Sequence, residues 1–228
     1  MSIYAFICTR SRDLSPVTNN LVSYLSSAGV EVKLLVNQDS IFKGYEKALQ
    51  KVKPDDSDII ILCHDDIQID MPPQSFVKIL SLLQNKTYGF IGPAGTTHLS
   101  ENAVWWDQAL WKEGKHRGAV HHINPEGKKY FTHYGAFEEV VVLDGLFLAA
   151  RADLIKKVGL EKPYYFEGKW DFYDIYYTYE AHKQNYENHT VPIKITHLSR
   201  GELAGRDSWH KNRLAFINEN RKDFPLVC

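Results

Sequence analysis

Short apolar runs alternate with stretches of helical spacing along the N-terminal part of the chain. Residues 3–8 (Ile-Tyr-Ala-Phe-Ile-Cys) have the length and composition of a buried strand. Behind Pro16, the positions Val17, Leu21, Leu25 and Ala28 recur at helical spacing, so 16–27 predicts a helix, stopped by Gly29 before a second strand over 30–36. Residues 42–52 predict a second helix, 54–58 a turn, 59–63 a third strand, 73–83 a third helix and 88–91 a fourth strand. Strands separated by single helices imply βαβ units, hence a mostly parallel sheet covered on both faces.

That rhythm breaks after residue 91. Residues 92–137 hold Gly92-Pro93-Ala94-Gly95, the pair Trp105-Trp106, several His and Gly, and no long apolar run, which predicts loops with short strands across the carboxyl edge of the sheet. Further on, 140–143 predicts a strand ending at Asp144-Gly145, 146–150 continues apolar, and 151–158 predicts a short helix stopped by Gly159. An aromatic-rich helix follows over 172–184, then a strand over 190–196 ending at His197, then a final helix over 207–220 packed on the outside. No internal repeat, low-complexity tract or domain linker is visible.

Composition narrows the classes. At 228 residues the chain is long enough for a sizeable core, and 27 Lys and Arg against 28 Asp and Glu leave no global field that would draw nucleic acid or an anionic membrane. The three cysteines, Cys8, Cys63 and Cys228, are odd in number and lack metal-site spacing. They fit a reducing compartment, with Cys8 and Cys63 as small buried strand residues. The N-terminus lacks the pattern of a secretory leader, and no window approaches the roughly 20 apolar residues of a spanning helix, so the expected location is cytoplasmic. Aromatic residues, 13% of the chain, concentrate after residue 100, where rings that stack and hydrogen-bond suit sugar or nucleotide ligands as well as ordinary interfaces.

The most chemical stretch is 58–67, where an apolar strand delivers His64, Asp65 and Asp66 to its C-terminal end, the edge where open α/β sheets bind ligands. Adjacent carboxylates repel unless a cation, a proton or hydrogen bonds offset them. Asp144 and His197 also follow β-rich runs, and Asp174 lies at a helix start, so all can converge on one site. Two oxygen ligands and one imidazole would leave room on Mn²⁺ or Mg²⁺ for diphosphate oxygens. A carboxylate away from the ion, such as Asp174, would accept a proton from an acceptor hydroxyl. Each residue also has a plain structural reading: a solvated strand exit for 64–66, a turn for Asp144, a helix N-cap for Asp174, a strand-end hydrogen bond for His197, and core packing for Trp105 and Trp106. P-loops, dinucleotide glycine fingerprints and the His-Glu-x-x-His zinc motif are absent.

The ordered set of Val36-Asn37-Gln38-Asp39, residues 44–49, the His64-Asp65-Asp66 run, Phe90 to Gly95, Trp105-Trp106, Val142 to Arg151, Phe172-Tyr173-Asp174 and His197-Leu198-Ser199-Arg200-Gly201 resembles inverting, family 2-like glycosyltransferases of the GT-A fold. It is similar in particular to a bacterial glycosyltransferase-like subgroup linked to surface polysaccharide synthesis, over roughly residues 3–201. The resemblance implies an α/β GT-A fold with a Rossmann-like, mostly parallel central sheet, helices on both faces and a loop-rich acceptor half. It implies one domain, with a nucleotide-binding half over about 1–91, an acceptor-binding half over about 92–205 and a C-terminal helix over about 206–228.

By the same resemblance, Asp66 is a direct metal ligand, His64 or Asp65 lies nearer the ribose, and His197 is the further metal ligand from the second half. Asp144 would lie by the sugar or acceptor, and Asp174 takes the catalytic-base position. Cys8, Thr9, Arg10 and Asn37 would border nucleobase and ribose, with Asp39 a weaker candidate, Lys43 or Arg10 would touch phosphate or base, and Trp106 would stack on the acceptor. Two departures matter: Glu46 stands where relatives commonly have Asn, and Tyr176 where they have a second acid, so either the site is tuned for a different acceptor or other groups orient Asp174 and Glu180 faces elsewhere; the open loop register before Asp174 keeps Glu167 and Asp171 as alternative bases. The implied reaction is metal-dependent transfer from a nucleotide-diphosphate sugar, UDP by prior, to a saccharide or lipid-linked acceptor. That leaves open a homodimer and peripheral attachment at the inner face of the cell membrane. The rival readings are a non-catalytic carbohydrate or protein interaction module on a degenerate fold and a sugar-phosphate nucleotidyltransferase, the latter disfavoured because residues 8–12 contain no glycine.

Overall fold

A computed structural model describes residues 1–124, 126–198 and 207–228; Ser199, Arg200 and Gly201 of the last motif lie outside the described residues. In chain order the first part comprises β1 (Ile3–Thr9), α1 (Pro16–Ser27), β2 (Glu31–Val36), α2 (Ile41–Val52), β3 (Ile59–Cys63), β4 (Ile67–Ile69), α3 (Pro73–Leu80, continued by a 3₁₀ turn Ser81–Gln84) and β5 (Tyr88–Gly92). Next come β6 (Ala94–Thr96), β7 (His98–Leu99), α4 (Gln108–Lys112), β8 (His116–Ile123), β9 (Lys129–Gly135), β10 (Glu139–Val140), β11 (Val142–Leu143) and β12 (Phe147–Arg151). The chain closes with α5 (Ala152–Val158), α6 (Tyr173–Lys183), β13 (Glu187–Thr190), β14 (Ile195–His197), α7 (Asp207–Glu219) and β15 (Leu226–Val227).

The predicted βαβ rhythm builds one side of a seven-stranded sheet of order β10-β13-β5-β12-β3-β1-β2. Strands β3, β1 and β2 are parallel neighbours, whereas β12 runs antiparallel between β3 and β5, so the sheet is mixed. All five residues of β3 are buried, as the continuous run Ile59–Cys63 requires of a strand covered on both faces. Ser15 and Ser40 cap α1 and α2 by accepting the N–H of Thr18 and Lys43. Helices α1 and α3 meet through Tyr24 and Phe76, and α2 meets α6 through Phe42, Tyr45, Tyr173 and Tyr177.

Two expected strands divide between sheets. The run 140–143 leaves Val140 paired in the central sheet, while Val142 and Leu143 pair with β6 in a second sheet of order β11-β6-β8-β14-β4. The run 190–196 likewise ends one strand at Thr190 and starts another at Ile195. Pro192 lies between them and has no N–H to give a ladder. The region 92–137 is more ordered than its polarity suggests, because β8 and β9 form a long antiparallel hairpin on the second sheet. Tyr130 and Phe131 in β9 are about half exposed, so burial demands no apolar run there.

Fully buried Asn188 ties β5 to α6 and to the segment between β10 and β11. Its Oδ1 accepts the Phe90 N–H at 2.9 Å, and its Nδ2 donates to the carbonyls of Val141 and Thr178 at 2.9 and 2.7 Å. Helix α7 packs inward through Trp209 and Phe216. Among the described residues no helix is long and apolar enough to cross a membrane.

Candidate metal and transfer site

The parallel register brings three strand ends to one edge, because Cys63 aligns with Ile7 and Val36 with Thr9. His64, Asp65 and Asp66 leave β3 there, beside Cys8, Thr9 and Arg10 at the end of β1 and Asn37 after β2. Asn37 has φ 50°, a left-handed conformation asparagine tolerates, and donates its N–H to the Thr9 carbonyl at 2.8 Å. Arg10, Asn37, Asp39 and Lys43 are exposed, Thr9 is buried, and Lys43 stands in the first turn of α2. Cys8 packs against Gly44 of α2, where an added Cβ would come within 3.3 Å of its sulfur. Burial, then the charge of Asp65, push the Cys8 thiol up to about 12, so it is a protonated packing group.

His64, Asp66 and His197 converge. One ligand atom from each lies within 4.8 Å of the others. His64 Nδ1 and His197 Nε2 stand 3.7 and 3.4 Å from the same oxygen, Asp66 Oδ1. The register explains the meeting: β14 pairs antiparallel with β4, setting His197 opposite Ile67, and the Leu198 N–H bonds the Asp66 carbonyl at 3.0 Å. Two imidazoles and one carboxylate are a donor set that suits a divalent transition ion, with positions left for other ligands. This differs from the expected two oxygens and one imidazole, because His64 joins the cluster while Asp65 stays outside it and lends its carbonyl to the Thr18 hydroxyl at 3.0 Å.

Burial, then the neighbouring His197, hold His64 below the ordinary histidine range. Burial also pulls His197 down, but its hydrogen bond to Asp66 and the charges of Asp66 and Asp144 outweigh that pull and raise it. The other nitrogen of His64, Nε2, lies 3.0 Å from the Tyr173 hydroxyl, which donates to the Gly145 carbonyl at 2.9 Å.

Asp144 and Asp174 meet at Gly145. Asp144 turns the chain between β11 and β12, its Oδ1 accepting the Leu146 N–H at 2.9 Å, so the turn role read from sequence is real. Its charge reaches His64, His122, Tyr134, Tyr173, Asp174 and His197. Helix α6 abuts Gly145 so closely that a Cβ there would come 2.7 Å from the Tyr173 hydroxyl and 2.8 Å from Asp174 Cβ. Asp174 is not an N-cap. Phe172 holds that position with φ 70° and makes no side-chain cap. Asp174 Oδ2 accepts the Gly145 N–H at 3.0 Å, and burial followed by the charge of Asp144 raises its pKa to about 7. Of the alternative bases, Glu167 is exposed with an ion pair to Lys211, and Asp171 is buried and accepts the Ser208 hydroxyl.

The aromatic pair separates in role. Trp105 is buried, while Trp106 is 37% exposed and rests on Trp209 of α7. Sequence reasoning missed the β8–β9 hairpin as a wall beside the cluster. His122 aligns with His197 in the sheet, its ring 6.5 Å from that of His197, and it stacks on Tyr130 at 5.2 Å. Its Nε2 lies 3.4 Å from the Tyr134 hydroxyl, and Tyr134 contacts Trp105 and Trp111. The signal was available as cross-strand pairing of His121-His122 with Tyr130-Phe131.

A family described as "Glycosyltransferase like family" matches residues 20–218. No curated protein matches the sequence. A crystal structure of GalNAc-T7 with UDP, GalNAc and Mn²⁺ superposes with TM-score 0.56 at 9% identity, covering 96% of this chain and 48% of that one, so this chain spans about half of it. Weaker likenesses are to A197 from STIV (TM-score 0.47, 14% identity, 84% of this chain and 82% of that one) and to a CMP:2-keto-3-deoxy-manno-octonic acid synthetase complexed with CTP (0.41, 10%, 85% and 90%).

Proposed function

The chain belongs to the glycosyltransferase-like family, and on that premise we propose that it transfers a sugar, with inversion, from a nucleotide-diphosphate donor to a saccharide or lipid-linked saccharide in surface polysaccharide synthesis. The observation carrying this reading is the meeting of His64, Asp66 and His197 at the carboxyl edge of a GT-A-like sheet, with Asp144 and Asp174 on the adjoining loop and helix. The GalNAc-T7 structure contains UDP and Mn²⁺, which supports a UDP-sugar and Mn²⁺ or Mg²⁺ here.

His64, Asp66 and His197 would hold the ion, which when bound offsets charge on the departing diphosphate. Cys8, Thr9, Arg10, Asn37, Lys43 and Asp65 border the base, ribose and phosphates. Asp174 takes the proton of the acceptor hydroxyl as that oxygen attacks the anomeric carbon and the sugar–phosphate bond breaks. A carboxylate raised to about 7 is a stronger base than an exposed one and is still substantially ionised at neutral pH. Asp144 holds the turn and sets Asp174's field. The acceptor lies along Tyr130, His122 and Tyr134, with Trp106 further out. The reading sets the protein in the cytoplasm, at the inner face of the membrane when the acceptor is lipid-linked.

Titration calorimetry with UDP, GDP and dTDP, each with Mn²⁺ and with EDTA, tests it. Metal-dependent binding of one nucleotide is expected; no binding of any would overturn the donor half of the proposal and favour an interaction module.

A further inference from the structure

The Tyr173 hydroxyl has one hydrogen to give, and the Gly145 carbonyl 2.9 Å away can only accept it. The same oxygen lies 3.0 Å from His64 Nε2, so the arrangement that satisfies all three groups has the hydroxyl accept there, with the hydrogen on Nε2. A neutral imidazole has one N–H, which leaves Nδ1 with a free lone pair. Nδ1 is the nitrogen facing Asp66 Oδ1, at 3.7 Å, too far for a hydrogen bond that would itself fix the ring. A carboxylate on that side would otherwise favour a hydrogen on Nδ1, where it would block coordination.

We infer that Tyr173 is the positioning residue of the metal site: it fixes His64 in the tautomer that offers Nδ1 to a divalent ion, and it ties that ring to the Asp144-Gly145 turn. The inference deepens the metal-binding part of the proposed function and rests on it. It also gives a reason for the tight packing at Gly145, since a side chain there would displace the hydroxyl that bridges Gly145 and His64. The Tyr173 ring is buried against Tyr45 and Tyr177, each 6.1 Å away, so Tyr173→Phe keeps the packing and removes one oxygen.

The test pairs ¹⁵N NMR of His64 in metal-free protein, at a pH of about 8.5 where imidazole is neutral, with Mn²⁺ titration. Wild-type protein should show Nε2–H. Tyr173→Phe should move His64 toward Nδ1–H and weaken Mn²⁺ binding by about 10–100-fold. The control Tyr177→Phe removes a buried hydroxyl that donates to the Leu160 carbonyl at 2.8 Å and should change neither readout. An Nδ1–H tautomer in wild type, or a Tyr173→Phe protein with unchanged tautomer and Mn²⁺ affinity, overturns the inference. Wild-type protein that shows Nε2–H yet takes up no Mn²⁺ overturns the metal site itself, and the positioning role with it, which separates the two failures.

Discussion

Asp174 Oδ2 accepts the backbone N–H of Gly145 at 3.0 Å, so the carboxylate at the start of α6 and the turn that holds Asp144 are joined by a hydrogen bond. That bond favours the ionised form, but burial and the charge of Asp144 outweigh it and bring the group to about 7. If Asp174 is the base, the transfer rate should climb with pH through about 7 and level off above it. Asp174→Asn should lower the rate by about 10²–10⁴-fold and flatten the profile while keeping Mn²⁺-dependent nucleotide binding; kcat against pH checks both.

The same group makes stability depend on pH. Its folded pKa lies above the unfolded value of 3.8, so between these values the folded state binds more protons. The contribution is fully present below about 4 and is lost as pH rises through about 7. Asp174→Asn should therefore be more stable than wild type at pH 8, by on the order of 4 kcal/mol, and should lack the decline in urea midpoint across that window.

Two imidazole nitrogens and one carboxylate oxygen favour borderline transition ions over Mg²⁺, which prefers oxygen ligands. Mn²⁺ and Co²⁺ should bind more tightly than Mg²⁺ by calorimetry. His197→Ala should weaken Mn²⁺ at least tenfold without lowering Tm in EDTA, and equal affinity in the variant would remove His197 from the site.

Gly145→Ala would place a methyl 2.7 Å from the Tyr173 hydroxyl and 2.8 Å from Asp174 Cβ. An overpacked contact of this kind costs about 1–3 kcal/mol, and Tm should fall accordingly. Gly127, with φ 79° and open space around its Cβ position, serves as a comparison, since Gly127→Ala should show backbone strain without the clash.

Tyr130 is 49% exposed and stacks on His122 beside the cluster. Tyr130→Ala should raise the KM for a saccharide acceptor about tenfold, the loss of one stacking contact, with nucleotide affinity unchanged. Steady-state kinetics with the acceptor varied would expose the opposite pattern.

The first βαβ units were legible because burial imposes itself on sequence: Ile59–Cys63 can be little else than a covered strand, and α1 begins at Pro16 and ends at Ser27 as its spacing and flanking Gly29 require. Asp66 and His197 were visible as strand-end residues, yet their meeting depends on β14 crossing into a second sheet, which Pro192 hints at but cannot dictate. The motif sets His64 or Asp65 nearer the ribose, and it gives order along the chain but not the ring orientation that turns His64 Nδ1 toward Asp66. The β8–β9 wall left no apolar periodicity because it is exposed, and Tyr173 stands in a motif without a role of its own because its hydroxyl's partners lie 28 and 109 residues away.

Asp66 follows a strand of the central sheet and His197 ends a strand of the second, and the chain between them runs for about 130 residues. An ion gripping both would act as a cross-link on the polymer, closing a loop whose freedom in the unfolded chain is worth about 4–5 kcal/mol by the measure used for disulfides. Starved of metal, the chain would lose this staple as well as a reagent.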